Sequence, residues 1–227
     1  MTSNLKILSG GAMQGLLTEV APLFEHGNAA KVELRFGLTS ALKKEIEQGA
    51  VFDIALLPRP DIDALTKAGR IAPGSTADIA RSSIGVAVRA GAAKPDIATA
   101  DAFKRTLLQA RSITYSDGPS GIYIGDLIDR LGIGQQIKPK TRLTTGPVAE
   151  LVAAGEAEIG IQQIVAILPI KGAELVGPLP ADLQNVIIYA AGLAAGIEDG
   201  AAARAFLAFM ATPDAVRIIR AKGLEPG

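Results

Sequence analysis

The sequence contains no cysteine and no tryptophan, and its only histidine is His26. Without cysteine the chain can form no disulfide, no thiolate metal site and no cysteine nucleophile. A serine–histidine–aspartate triad or a multi-histidine metal centre would depend on His26, which lies in the polar stretch 25–28 and is best explained as a solvated turn residue. We therefore predict no catalytic residue, no metal site and no cofactor.

The sequence also has no excess of charge of either sign, because 23 basic residues balance 23 acidic ones. This balance and the low aromatic content (4%) argue against a nucleic-acid partner. The apolar stretch 186–197 is too short to span a bilayer, so no membrane insertion is expected. The segment that begins Met1-Thr2-Ser3 lacks the pattern of a secretory signal. The expected location is the periplasm if a signal peptide has been removed, and the cytoplasm if the chain is native as written.

Short apolar segments alternate with amphipathic ones along the whole chain. Alternating strands and helices predict an α/β fold with mainly parallel sheets flanked by helices. The strands are expected at 5–8, 31–36, 52–57, 84–88, 113–115, 140–143, 158–161 and 186–190. The helices are expected at 13–24, 40–48, 101–110, from about 120 to 131, and at 147–154, 201–210 and 213–222.

Four loops, at 9–13, 37–40, 119–123 and 144–148, each place small residues between the end of a strand and the start of a helix. Backbone N–H groups at a helix start can bind an anion, and small side chains allow it to approach closely. Strand-to-helix loops lie at the carboxyl edge of a parallel sheet, where α/β proteins bind ligands. The four loops therefore predict a cleft for a small anionic ligand.

The motifs in these loops resemble those of the type 2 periplasmic solute-binding proteins, within them the molybdate-binding-like group. The similar motifs are Gly37-Leu38-Thr39-Ser40-Ala41-Leu42, Pro119-Ser120-Gly121-Ile122-Tyr123 and the segment from Val148 to Gly160, in the family's order along nearly the whole chain. The resemblance implies two lobes with a ligand cleft between them that closes by a hinge. Lobe one would be residues 1–82 plus 186–227, and lobe two residues 83–185.

The resemblance also implies where the ligand would be held. In the molybdate binders, two serines, an alanine, a valine and a tyrosine contact the oxyanion, and here Ala12, Thr39, Ser120, Val148 and Gln163 stand at those positions. One hydroxyl is lost, one is kept as threonine and one is gained, while an amide replaces the phenol. This set fits a carboxylate or hydroxylated organic acid as well as it fits molybdate.

The candidate site residues follow from the loops and the resemblance together. The ligand-binding candidates are Gly10, Gly11, Ala12, Met13, Thr39, Ser40, Ser120, Gly121, Val148, Gln162 and Gln163, with Ser9, Arg81, Tyr123 and Pro147 as further candidates. Several have an alternative structural explanation. Gly10 and Gly11 are alternatively turn glycines with positive φ, Thr39 and Ser40 helix caps, and Arg81 a hinge or surface ion pair.

The leading hypothesis is a monomeric, non-enzymatic binding protein that delivers a small anion to an ABC permease as the solute-binding component of an importer. One alternative is an enzyme on the same fold, an isomerase or lyase of an organic acid. Its acid and base groups would come from Asp117, Tyr123, Glu150 or Lys171, among which the sequence shows no paired constellation. Another alternative is a cytoplasmic metabolite sensor on this fold.

Overall fold

The computed structural model describes residues 3–197 and 200–227. Met1 and Thr2, which open the N-terminal segment considered above, lie outside the described residues, as do Glu198 and Asp199. The chain divides into two compact units, one comprising Met1–Arg81 with Ile187–Gly227 and the other Ser82–Val186.

The described residues form ten strands and ten α-helices, which alternate along most of the chain. The strands are β1 (Ser3–Gly10), β2 (Ala30–Gly37), β3 (Ile54–Pro58), β4 (Ala77–Arg89), β5 (Ile113–Ser116), β6 (Thr141–Thr144), β7 (Ile159–Gln163), β8 (Ala173–Pro178), β9 (Val186–Leu193) and β10 (Glu225–Pro226). The helices are α1 (Gln14–Gly27), α2 (Thr39–Glu47), α3 (Arg59–Lys67), α4 (Ala100–Gln109), α5 (Pro119–Arg130), α6 (Gly134–Ile137), α7 (Val148–Ala153), α8 (Ile164–Ile167), α9 (Ala201–Met210) and α10 (Pro213–Ala221).

The first unit is built around β1, which pairs in parallel with β2 and β3. β9 adds to β3 in the antiparallel sense, and β10 pairs antiparallel with Ala80 and Arg81 of β4. One core cluster joins the sheet to α2 and α3 through Leu42, Ile46 and Leu65. Elsewhere in this unit, the Phe24 ring of α1 meets that of Phe206 in α9 edge to face, with 5.1 Å between centroids. Both β1 and β2 therefore end in loops that lead directly into a packed helix.

The second unit has β5 at its centre, paired in parallel with β6 and β7. The later part of β4 pairs antiparallel with both β7 and β8. α5 buries Ile124, Leu127 and Ile128, spaced along one helical face, in a core that also contains Ile113 and Ile161. β5 and β6 consequently present their carboxyl ends, and the loops that follow, at one edge.

The α/β class is confirmed, and the structure adds elements that the sequence did not indicate. The stretch 59–67, after the expected end of β3, forms α3 with Pro60 in its first turn, where the missing N–H is not needed. α6, α8, β8 and β10 were not predicted, and β4 is longer than the expected 84–88. Gln162 and Gln163 do not follow β7 but are its last two residues, because Gly85 and Ile84 of β4 pair with them. Among the described helices, none has the length and apolar character needed to cross a membrane.

Candidate functional site

In the first unit, the loop between β1 and α1 is a 3-10 turn formed by Gly11–Met13. Gly10 has φ −63° and ψ 148°, and neither Gly10 nor Gly11 lies among the positive-φ glycines, so the turn-glycine alternative is wrong. The Met13 side chain is buried in the core, whereas the space beside the Gly11 Cα is open. The buried Ser9 hydroxyl donates to the Gly10 carbonyl at 3.3 Å. This loop therefore offers mainly backbone groups to a ligand.

The loop between β2 and α2 lies beside this turn. A Cβ placed on Gly10 would be 3.1 Å from the Thr39 Oγ1, so a larger residue at position 10 would crowd that hydroxyl. Thr39 is the first residue of α2 and Leu38 is its N-cap, with no side-chain cap, so Thr39 and Ser40 are not N-caps. The structure thus brings Gly10, Thr39 and their helix starts together within one unit.

In the second unit, Gly121 is required by close packing at the start of α5. A Cβ placed on Gly121 would lie 1.5 Å from the Ser116 carbonyl oxygen, which no side chain can tolerate. Ser120, at 5% exposure, makes no hydrogen bond to the described part of the chain through its hydroxyl. The Ile122 N–H donates to the Gly118 carbonyl, while Ser120 and Gly121 precede the first intrahelical donor of α5. Two amides and one hydroxyl are therefore without helical partners at this start.

The loop between β6 and α7 differs from the other three. The Gly146 N–H donates to the Thr144 hydroxyl at 3.0 Å, and Pro147 is the N-cap of α7. The Val148 N–H donates to the Oε1 of Gln162 at 3.2 Å, so two predicted site residues are in direct contact. The donor that the resemblance assigned to the ligand is therefore occupied by a side chain of the same unit.

The first turns of the helices differ in whether they carry an acidic residue or a side-chain cap. The 3-10 turn before α1 and the first turns of α2 and α5 have neither, and the same is true of α6, α8 and α9, which do not follow the predicted loops. By contrast α3, α4 and α10 carry Asp61, Asp101 and Asp214 in their first turns, and Thr99 caps α4 through its side chain. Acidic residues and caps satisfy the positive end of a helix, so their omission leaves three predicted loops able to receive an external anion. α7 falls in the acidic group because it carries Glu150.

Two further candidate residues, Tyr123 and Arg81, lie on α5 and β4. The Tyr123 hydroxyl donates to the Leu183 carbonyl at 3.0 Å, and the Arg130 guanidinium lies over its ring. Arg81 is exposed on β4, in register with Glu225 of β10 and outside the ion pairs of the described residues. Neither position by itself indicates ligand contact.

The side chains considered for acid–base chemistry do not form a cluster with an obvious function. Asp117, Glu150 and Lys171 are exposed, on the β5–α5 loop, the first turn of α7 and the loop before β8. In β5, burial raises the pKa of the half-buried Tyr115, and Asp129 raises it further. Among residues 3–197 and 200–227, no group of three or more acidic or histidine side chains could hold a metal ion.

Two exposed apolar side chains beside the loops were not identified from the sequence. Leu38, next to Thr39, is 79% exposed, and Ile122, next to Gly121, is 62% exposed. Each directly adjoins a helix start that can bind an anion. Their position at strand-to-helix loops could have drawn attention to them, because turns favour small and polar residues over large apolar ones.

Comparison with known proteins assigns the family. The model of a bacterial extracellular solute-binding protein family matches residues 5–225. An aconitate isomerase from a Pseudomonas species is 34% identical, over 99% of this chain and 88% of that protein. The molybdate-binding protein ModA of Rhodobacter capsulatus is 29% identical, over 90% of this chain and 81% of that protein. The periplasmic molybdate-binding protein of Azotobacter vinelandii has the same fold, with a TM-score of 0.77, 21% identity and coverage of 98% of this chain and 99% of that one.

Proposed function

Because the chain belongs to the bacterial extracellular solute-binding protein family, we propose that it binds a small organic acid anion as the solute-binding component of an ABC importer. The observation that supports an anion most directly is the pair of uncapped, acid-free first turns of α2 and α5. Each also has a hydroxyl, that of Thr39 or of Ser120, without a hydrogen-bond partner in the described chain. In this proposal the backbone amides and hydroxyls of these helix starts are the hydrogen-bond donors to the anion.

Neutral donors suit reversible transport. Backbone amides and hydroxyls bind an anion without the desolvation cost of a buried counter-charge, which helps the protein to release its cargo. The partner would be an ABC permease, and the protein itself a monomer.

An organic acid is favoured over an inorganic oxyanion by the residues that border the donors. The exposed Leu38 and Ile122 adjoin the α2 and α5 starts and could cover a carbon skeleton, which molybdate does not have. The 34% identity to an aconitate isomerase supports the same class of ligand, and the 29% identity to a molybdate-binding protein keeps molybdate as the competing ligand.

The test is titration calorimetry of the purified protein with aconitate, molybdate and sulfate, together with native mass spectrometry for a co-purifying anion. We expect binding of aconitate or a similar carboxylate in preference to molybdate. Thr39→Val should lower affinity about tenfold, because a hydrogen bond to a charged group is lost. Thr18→Val, at an exposed position of α1, is the matched control and should bind as the wild type does. Failure to bind any anion would contradict the proposal.

A second candidate function is the isomerisation of an organic acid, which the identity to an aconitate isomerase favours. The measurement is the proton NMR spectrum of cis-aconitate incubated with the protein. Recovery of unchanged substrate alongside tight binding would support the binding protein, whereas conversion to the trans isomer would establish the enzyme. The exposure of Asp117, Glu150 and Lys171 is the reason that we place the enzyme second.

A further inference from the structure

The side chain of Gln162 is held at one end only. Its Oε1 accepts the Val148 N–H at 3.2 Å, and its Nε2 has no hydrogen-bond partner in the part of the chain that the structure describes. Because the backbone N–H can only donate, the oxygen must face Val148 and the NH2 group must face the opposite way. One bond therefore fixes the direction in which two N–H donors are presented.

Gln184, in the same unit, shows what a purely structural glutamine looks like. Its Oε1 accepts the Ile84 N–H at 2.8 Å, and its Nε2 donates to the Ile84 carbonyl at 2.9 Å. Both ends of that carboxamide are used to join two chain segments. Gln162 uses only its acceptor, so its donors are available to an external group.

The neighbours of Gln162 also have free donors. β5 and β7 pair in register up to Tyr115 and Ile161, and the next step of that register puts Gln162 level with Ser116. The Ser116 carbonyl lies against Gly121, and the hydroxyl of the adjacent Ser120, a residue only 5% exposed, makes no hydrogen bond to the described residues. The free amide of Gln162 and the free hydroxyl of Ser120 thus belong to the same edge of the same unit.

The start of α7 is not an anion site in its own right. α7 has only six residues, it carries Glu150 in its first turn, and its leading N–H is occupied by Gln162. We infer that Gln162 replaces the Val148 amide as the ligand donor of this loop, with the Val148 N–H acting as its positioning group. This inference rests on the proposed function and identifies the donor within the proposed site.

Two arrangements make opposite predictions for the removal of this side chain. If Gln162 is the donor, Gln162→Ala should weaken binding of aconitate or molybdate about tenfold, because a hydrogen bond to a charged ligand is lost. If Gln162 only competes with the ligand for the Val148 N–H, the same variant should bind more tightly, because nothing has to be displaced. The sign of the change distinguishes the two arrangements.

The decisive experiment is titration calorimetry of Gln162→Ala and Gln162→Glu with whichever of these anions the wild type binds. The glutamate variant keeps an acceptor for the Val148 N–H but replaces the donor with a negative oxygen, so we expect the fold to be retained and affinity to fall at least about a hundredfold. Gln135→Glu makes the same charge change at an exposed site and should leave affinity unchanged. Wild-type or tighter binding by Gln162→Ala overturns the inference, whereas a wild-type protein that binds no anion overturns the proposed function instead.

Discussion

Gly121 offers the sharpest test of the packing around the proposed site. The methyl group of an alanine at this position would lie 1.5 Å from the oxygen and 2.5 Å from the carbon of the Ser116 carbonyl. Both groups are backbone, so no side-chain rotation can relieve the overlap. The start of α5 would have to move away from β5 by about 2 Å to restore an ordinary contact.

The expected cost exceeds that of ordinary overpacking. Adding a methylene group against mobile side chains costs about 1–3 kcal/mol, so an obstacle made of backbone should cost at least about 3 kcal/mol. For a chain of this size, that loss corresponds to a melting temperature lower by about 6–12 °C. Differential scanning calorimetry and urea unfolding of Gly121→Ala measure both quantities.

Gly11→Ala is the matched control. Gly11 is also a site glycine at a helix start, but nothing lies within 4 Å of a Cβ placed on it, and its φ is not positive. We expect its free energy of unfolding to change by no more than about 0.5 kcal/mol. A Gly121→Ala variant that melts with the control would refute the requirement for glycine at position 121.

Three further predictions concern buried hydroxyls, pH and the helix starts. Thr114 is fully buried with an unpartnered hydroxyl, so Thr114→Val should raise the free energy of unfolding by about 1 kcal/mol. Thr106→Val should lower the free energy of unfolding by about 1 kcal/mol, because the Thr106 hydroxyl donates to a backbone carbonyl at 2.7 Å. Urea unfolding in which the two variants change in the same direction would contradict this difference between the two hydroxyls. A hydrogen bond from the Val32 N–H, and to a smaller extent one from the Lys31 side chain, lowers the pKa of the Glu25 carboxyl below its ordinary 4.5. The ionised carboxylate therefore stabilises the fold above that pH, and this stabilisation disappears as the pH falls through the lowered pKa. Glu25→Gln should therefore be less stable than wild type at neutral pH, and the difference should shrink as the pH falls through the lowered pKa of Glu25. A stability difference that stays constant with pH in urea unfolding would contradict this. Ser40→Asp should stabilise α2 by about 0.5 kcal/mol, yet weaken anion binding by about tenfold or more, as calorimetry and melting measured on the same sample would show; unchanged affinity would place the ligand elsewhere.

Most helices and the positions of the four loops could be predicted from the sequence because their causes are local. The spacing of Leu42 and Ile46, for example, indicates α2, and Gly37 marks the end of the preceding strand. Alternation of such elements is enough to predict an α/β class. The antiparallel additions, β8 and β10, depend on pairing with the distant strand β4, and no pattern within either short strand indicates that partner.

The role of the site glycines could not be predicted because it depends on contacts rather than on backbone angles. Positive φ was the alternative explanation for Gly10 and Gly11, but Gly49 and Gly69, which follow helices, are among the residues that have it. What requires glycine at position 121 is the approach of the Ser116 carbonyl, which depends on how α5 turns back onto β5. The path of the chain between these two residues sets that distance. The sequence therefore shows a glycine at position 121 but not why one is required.

Some helix starts of this chain lack a stabilising interaction that others have. An acidic residue or a cap in the first turn is worth about 0.3–1 kcal/mol, and α3, α4 and α10 have at least one of them. The starts of α2 and α5 have neither, although Ser40 and Ser120 could be replaced by aspartate without a large change in size. α6, α8 and α9 lack both as well, so omission alone does not identify a ligand site; at the proposed site, however, it avoids repulsion of the anion. α7 keeps Glu150, and its first N–H donates to Gln162, so in our proposal the carboxamide of Gln162 rather than this helix start provides the donor of the loop.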